Sequence, residues 1–170
     1  YFTNAVNTRT KGLDAVGSWK TKLAEGDLTL TAAYNWNDTK VTRSKLTEVS
    51  KLARINIEDG LPEHTGNIAA TYAYGRYEGT ARVRYYGEWT DAQSQSSADL
   101  VQTFGSRAFV DLSVSAAITD QVKLTVGAEN LFDKYPDEAT FQASRGLIYS
   151  RNAVYDTDGG LYYVRVNAKF

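Results

Sequence analysis

The sequence predicts an all-β protein, an antiparallel up-and-down transmembrane β-barrel to which this chain contributes about seven strands. Three observations predict this fold class. Apolar side chains alternate with polar ones along most of the chain, short connections alternate with long ones, and ionisable side chains fall on one face of the predicted strands. Because successive side chains of a strand point to opposite faces, the alternation describes a ribbon with one apolar and one polar side.

The two-residue period locates the strands. It predicts them at 10–20, 27–41, 67–74, 77–90, 107–118, 122–130 and 161–170. Most of these segments have the ~9 to 11 residues that a tilted strand needs to cross a bilayer. Helical periodicity is absent except for a weak signal at 45–56, where we do not expect a helix.

The connections between these strands are sorted by length. They are tight at 23–26, 75–76 and 119–121, and long at 42–66, 91–106 and 131–160. An up-and-down barrel places all short turns on one rim and all long loops on the other, whereas a Greek-key sandwich has no reason to do so. We therefore expect three extracellular loops and a C-terminus in the periplasm.

Charges separate the two faces of the predicted strands. The positions assigned to the outer face include Leu13 to Trp19 and Leu28 to Trp36 in steps of two, and none of them is ionisable. A lipid-facing Arg or Lys costs roughly 2 to 4 kcal/mol at the bilayer midplane, so lipid explains the separation better than water does. The opposite face carries ionisable residues predicted to face the lumen: Glu78, Arg82, Arg84, Glu88, Asp111 and Glu129.

Composition excludes several classes of function. A net charge of −1 argues against binding to nucleic acid. No Cys and a single His leave no cluster of the usual metal ligands, so we predict no metal site and no cofactor. A catalytic arrangement of His64 with Ser94, Ser96 or Ser97 is conceivable, but loop serines are common, and we predict that the chain is not an enzyme.

Three segments carry a family resemblance. Residues 127–136 read Gly-Ala-Glu-Asn-Leu-Phe-Asp-Lys-Tyr-Pro, residues 10–14 read Thr-Lys-Gly-Leu-Asp, and the last strand ends on an aromatic residue, Phe170. Together they resemble TonB-dependent outer-membrane receptors, which are active transporters of scarce nutrients. The resemblance implies that residues 1–170 are the C-terminal part of a larger barrel of ~22 strands, without its plug domain and N-terminal strands.

The resemblance also implies partners and a cargo. The partners would be the rest of the barrel and its plug, outer-membrane lipid, the TonB energy-coupling complex through the missing N-terminal part, and the barrel assembly machinery through the last strand. The cargo would be an iron–siderophore or similar chelate. The alternative is a free-standing small outer-membrane barrel that serves as a structural anchor.

Two further sets of residues are assigned roles. The last long loop is predicted to contact the ligand, because aromatic and basic side chains suit an anionic chelate. Its candidates are Tyr135, Phe141, Arg145, Tyr149, Arg151 and Tyr155. The assembly signal is assigned to the apolar side of the last strand, which carries Tyr162, Val164, Val166, Ala168 and Phe170.

Overall fold

The structure is a computed structural model that describes residues 6–44, 50–95, 98–141 and 146–169. These residues form long strands joined by turns and by one short helix. The strands are β1 (Val6–Leu23), β2 (Gly26–Ser44), β3 (His64–Tyr74), β4 (Tyr77–Tyr86), β5 (Trp89–Gln95), β6 (Ala98–Phe104), β7 (Arg107–Ala117), β8 (Val122–Glu129) and β9 (Leu161–Ala168), and the helix is α1 (Lys51–Glu58).

Seven strands form one antiparallel sheet in the order β1-β2-β3-β4-β7-β8-β9. They correspond to the seven predicted strands, so the predicted fold class is confirmed. Within the described residues, β1 and β9 lie at opposite edges and do not pair with each other. The sheet is therefore an unclosed section of barrel wall.

The register confirms the predicted separation of faces. Leu13 pairs with Trp36, Ile68 with Val83, and Val114 with Val126, so apolar residues stay together across the strands. We call this side of the sheet the apolar face. The opposite side, the polar face, pairs Asn67 with Arg84 and Arg82 with Asp111.

Among the residues that the structure describes, no second layer covers the apolar face. Val114 and Val126 each expose 53% of their surface, and Val164 exposes 69%. A water-soluble sheet would bury such a continuous apolar side against another layer. Branched and aromatic side chains in this arrangement suit a strand whose apolar side meets hydrocarbon.

Strands β1 and β2 extend beyond the apolar band. They span 18 and 19 residues, longer than the predicted 10–20 and 27–41 segments. Past the Leu13–Trp36 pair, the same side of the sheet carries ionisable residues, including the cross-strand pairs Lys11–Asp38 and Arg9–Lys40. The separation of charges therefore holds within the band and ends at its margin, where the β1–β2 hairpin projects past the rim.

Tight turns lie at one rim of the sheet. The β1–β2 connection turns at Ala24, with φ +51°, and the β3–β4 connection turns at Gly75, with φ +56°. Both residues occupy the left-handed region that a two-residue hairpin turn requires. Val122 pairs with Ala168, so β9 ends at the rim of these turns. Among the described residues, no helix is long and apolar enough to cross a membrane.

Two expectations about the long connections were wrong. A helix does form at α1, where the Ser50 hydroxyl caps the first turn by accepting the Ala53 N–H at 3.1 Å. The predicted strand 77–90 ends early, because β4 stops at Tyr86 and a second hairpin, β5–β6, begins at Trp89. The alternating pattern continues through this break, so the period alone could not reveal it.

Candidate functional site

The three long connections pack together at the rim opposite the tight turns. We call this assembly the outer-loop unit: helix α1, the β5–β6 hairpin and the described part of 130–160. Helix α1 joins the hairpin through Asn56, whose side chain donates to the Ala92 carbonyl at 2.7 Å and accepts the Ala92 N–H at 2.9 Å. A side-chain amide thus pairs with both backbone groups of one residue, as a neighbouring strand would.

Asp91 connects the hairpin to the last loop. Its side chain is buried, with 1% of the residue exposed. The carboxylate accepts the Ser150 hydroxyl at 2.6 Å, the Asn152 amide at 3.1 Å and the Gln93 amide at 3.2 Å. A buried carboxylate is tolerated only when donors replace its lost water, and these three neutral donors do so.

An apolar cluster lies beside Asp91. The rings of Trp89 and Phe104 stack with centroids 4.5 Å apart and planes inclined by 12°. Ala139 packs on them, and both rings are almost fully buried. Trp89 lies within the predicted strand 77–90, yet it does not continue the apolar face of the sheet, because it forms the core of the outer-loop unit.

Tyr155 fastens the last loop to the polar face of the sheet. Its ring lies 5.3 Å from those of both Tyr86 and Phe109, and the Arg84 guanidinium lies 5.5 Å from the Phe109 ring centroid. Tyr155 is 7% exposed, and this burial raises the pKa of its hydroxyl. Because Tyr86 and Phe109 are on the polar face, the loop folds inward over the side that would be the lumen.

Below this contact, the polar face holds an ion cluster centred on Asp111. The Arg84 guanidinium donates to both carboxylate oxygens of Asp111, at 2.8 and 2.9 Å, and Arg82 donates to one at 2.8 Å. The Asn130 N–H donates to the same carboxylate at 2.9 Å. Fork-shaped pairing of this kind is the stronger form of Arg–carboxylate contact, so Asp111 organises this part of the wall.

The last loop leaves the sheet through a fixed turn at Asn130. This residue has φ +50°, a conformation that Asn tolerates better than most residues. Its side chain donates to the Lys134 carbonyl at 2.7 Å and accepts the Lys134 N–H at 3.0 Å. Asp133 accepts the Gly160 N–H at 2.8 Å, which ties the two ends of the loop together. The motif at 127–136 therefore has a clear structural role.

The predicted ligand-contacting residues divide by exposure. Phe141 and Tyr155 are buried inside the outer-loop unit, and Arg145 lies outside the described residues. The rings of Tyr135 and Tyr149 stack 5.9 Å apart, with Tyr135 42% exposed, and Arg151 is exposed. A ligand role for this set stays a prediction, and the surface it offers consists of Tyr135, Tyr149 and Arg151.

The residues predicted to face the lumen lie mostly on the polar face. Arg82, Arg84 and Asp111 form the cluster described above, and Glu78 pairs with Lys123 at 3.0 Å. Glu129 lies on the polar face of β8 at the level of Asp111, and Glu88 is exposed in the segment between β4 and β5. Their contact with a plug stays a prediction.

The predicted assembly face forms the open edge of the sheet. Tyr162, Val164 and Val166 expose 70%, 69% and 64% of their surface, and Ala168 is also exposed. Phe170 lies outside the described residues. Over the described part of the chain, no group of three or more His, Cys, Asp or Glu side chains could hold a metal ion.

A comparison with known protein families identifies the family to which this sheet belongs. The sequence model of the family described as "TonB dependent receptor-like, beta-barrel" matches residues 1–131. The chain belongs to this family. Its members are transporters and receptors of the Gram-negative outer membrane, so the predicted resemblance is confirmed at the level of the family. No curated protein sequence matches the chain.

Solved structures of this family share the fold. The complex of FpvAI with pyocin S2 has a TM-score of 0.64 at 18% identity, over 95% of this chain and 19% of that one. The ferripyoverdine receptor of the Pseudomonas aeruginosa outer membrane, bound to ferripyoverdine, scores 0.63 at 18% identity, over 95% and 20%. The ferric enterobactin receptor of Pseudomonas aeruginosa scores 0.56 at 21% identity, over 91% and 22%. The chain thus spans about a fifth of the length of these receptors.

Proposed function

We propose that this chain is the C-terminal part of the barrel of a TonB-dependent active transporter. The transporter takes up a scarce nutrient, an iron–siderophore or similar chelate, across the outer membrane of a Gram-negative bacterium. The observation that carries the proposal is the unclosed antiparallel sheet with an exposed apolar face, in a chain that belongs to the TonB-dependent receptor-like family.

The open edges of the sheet favour a larger barrel over a free-standing small one. Unpaired backbone groups in hydrocarbon cost several kcal/mol each, so strands β1 and β9 need neighbours. In the proposed transporter the rest of the barrel supplies them, a plug domain fills the lumen, and the TonB complex acts through the N-terminal part. The barrel assembly machinery recognises β9.

The proposed orientation puts the outer-loop unit outside the cell and the C-terminus in the periplasm. Its support is the sorting of connections, since the tight turns share a rim with the end of β9. The cargo assignment is supported by Tyr135, Tyr149 and Arg151, which offer two stacked rings and a guanidinium on the loop surface. Such a surface suits an anionic chelate with aromatic or planar groups.

Uptake by intact cells tests the function. The gene for the full-length receptor is deleted, and uptake of ⁵⁵Fe carried by a panel of chelates is measured under iron limitation. We expect uptake of at least one chelate to be lost, to return with the gene, and to stop when TonB is removed. Unchanged uptake of every chelate after deletion, or uptake that continues without TonB, would contradict the proposal.

A matched pair of loop variants tests the ligand surface. Tyr149→Ala removes one stacked ring, and we expect it to weaken chelate binding at least about threefold. Ile148→Ala is the control, because Ile148 is the adjacent residue and is 62% exposed. The measurement is the dissociation constant of the chelate for each variant of the purified full-length receptor. Equal effects of the two variants would contradict a ligand-binding role for the loop surface.

A further inference from the structure

Cations lie on the same side of the sheet as the apolar face, just beyond its margin. Lys11 is the next residue on this side of β1 after Leu13, and Arg9 follows it. Arg9 lies directly opposite Lys40 on β2. Like charges directly opposite each other on neighbouring strands destabilise the pair, so an anion held beside them would remove that cost.

The chain neutralises these cations to different extents. Lys40 forms an ion pair with Asp38 at 3.2 Å, and two further carboxylates, those of Asp59 and Glu63, also act on it. The cations of β1 are exposed, and their side chains form no ion pair or hydrogen bond within the described residues. The positive charge that is left without a partner therefore belongs to β1.

An apolar depression of about 510 Å³ lies on the apolar face, further into the membrane band than the cations. The small residues Ala15, Gly17 and Ala32 line it together with larger ones that include Tyr34 and Tyr85. An added Cβ at Gly17 would meet no atom within 4 Å, so the space above this residue is open. The depression is many times larger than the ~30 Å³ that one water occupies, and its apolar lining suits a hydrocarbon chain.

The apolar depression and the cations follow the same strand. Ala15 and Lys11 are four residues apart on one side of β1, which corresponds to roughly 13 Å along the strand. Leu13 and Trp36 lie between them as an apolar cross-strand pair. An elongated amphipathic molecule therefore fits along β1, with its hydrocarbon part in the depression and an anionic end at the cations.

We propose that this part of β1 and β2 binds one lipid of the surrounding leaflet, with its phosphate headgroup at Arg9 and Lys11 and an acyl chain in the apolar depression. The inference rests on the proposed function for the membrane in which the barrel lies. Guanidinium and ammonium groups pair with phosphate, and cations at a membrane surface attract anionic headgroups. Close van der Waals contact between the chain and the depression distinguishes this lipid from a free phosphate ion.

Native mass spectrometry of the full-length receptor in a non-ionic detergent tests the proposal with three probes. Dimyristoyl phosphatidic acid has both the phosphate and the chains, dimyristoylglycerol has only the chains, and inorganic phosphate has only the anion. We expect the receptor to retain one molecule of phosphatidic acid at least about tenfold more tightly than either of the other probes.

Matched variants locate the site. Lys11→Gln should weaken the binding of phosphatidic acid about fivefold, whereas Lys20→Gln, on the polar face of the same strand, should leave it unchanged. Gly17→Leu should fill the apolar depression and weaken binding at least about fivefold. Gly79→Leu is its control, because Gly79 also has open space on the apolar face but does not line the depression.

The outcomes are distinct. Equal binding of phosphatidic acid and dimyristoylglycerol, or equal effects within either pair of variants, would overturn the lipid site. Inorganic phosphate that binds as tightly as phosphatidic acid would reveal a site for a free anion alone and would also overturn it. The uptake assay is independent of these measurements. A receptor that takes up its chelate but fails the lipid tests would reject this inference and leave the proposed function standing.

Discussion

The Asp111 carboxylate accepts two hydrogen bonds from the Arg84 guanidinium, at 2.8 and 2.9 Å, across strands β7 and β4. The same carboxylate accepts the backbone N–H of Asn130, where β8 gives way to the last long loop. One side chain therefore joins the polar face of the wall to the base of the outer-loop unit. Because the carboxylate is 9% exposed, its partners replace most of its water.

Asp111→Asn should destabilise the full-length receptor by about 1 to 3 kcal/mol. The asparagine side chain carries no charge and has one acceptor oxygen fewer, so some of the guanidinium donors lose their acceptor. Glu129→Gln is the control, since Glu129 lies on the same level of the polar face and has no ion pair among the described residues. We expect its effect to stay within about 0.5 kcal/mol. Urea unfolding in lipid vesicles measures both, and equal losses would show that Asp111 has no special role.

Val114→Arg should impair insertion of the receptor into membranes. Val114 is on the apolar face between Gly79 and Val126, and a cation there costs roughly 2 to 4 kcal/mol if the residue faces lipid. Ser113→Arg, one residue away on the polar face, should be milder. The fraction of folded, heat-modifiable receptor reports insertion, and similar losses for the two variants would refute the assignment of the faces.

Asp91→Ala should loosen the outer-loop unit by about 1 to 3 kcal/mol, because it leaves the donors of Ser150, Asn152 and Gln93 without this acceptor. Hydrogen exchange should then rise in both the β5–β6 hairpin and residues 146–155, while the seven-stranded sheet stays protected. Asp99→Ala, an exposed site on the same hairpin, serves as the control. Exchange confined to the hairpin would show that the two segments are not joined through Asp91.

The attachment of helix α1 to β2 should weaken in acid. The N–H of Val41, and then the Arg54 guanidinium, lower the pKa of Glu58 from its ordinary value of 4.5. A carboxylate with a lowered pKa contributes its full stabilisation above the ordinary value and loses it as the pH falls through the folded value. The relevant window therefore begins near pH 4.5 and extends downward.

Hydrogen-exchange protection factors of residues 51–58, corrected for intrinsic exchange, follow this transition. We expect the protection of α1 to fall below pH 4.5 in the unmodified receptor. Glu58→Gln keeps an acceptor for the Val41 N–H but does not titrate, so its protection should be lower and independent of pH in this range. A pH-dependent loss that is the same in both proteins would assign the effect to another group.

The sequence by itself determined the wall of the barrel. The seven strands, their faces and the sorting of tight turns follow from a two-residue period, which is a local property of each strand. Hydrocarbon enforces that period at every position of the apolar band, as the pairs Leu13–Trp36 and Val114–Val126 show. The free-energy cost of placing a charged side chain against hydrocarbon ends where the apolar band ends. Lys11 and Asp38 can therefore lie on the same side of the sheet as the apolar residues, just beyond the band.

Only the tertiary structure decided the arrangement of the loops. Trp89 continues the alternation of β4, yet it turns away to stack on Phe104 in a separate hairpin. Asp91 accepts a hydrogen bond from the hydroxyl of Ser150, 59 positions further along the chain, and no pattern in either segment predicts this contact. The polar loop segments do not lie against one uniform solvent, so their sequences carry no regular period. The folded wall determines which of their buried donors and acceptors lie close enough to form hydrogen bonds.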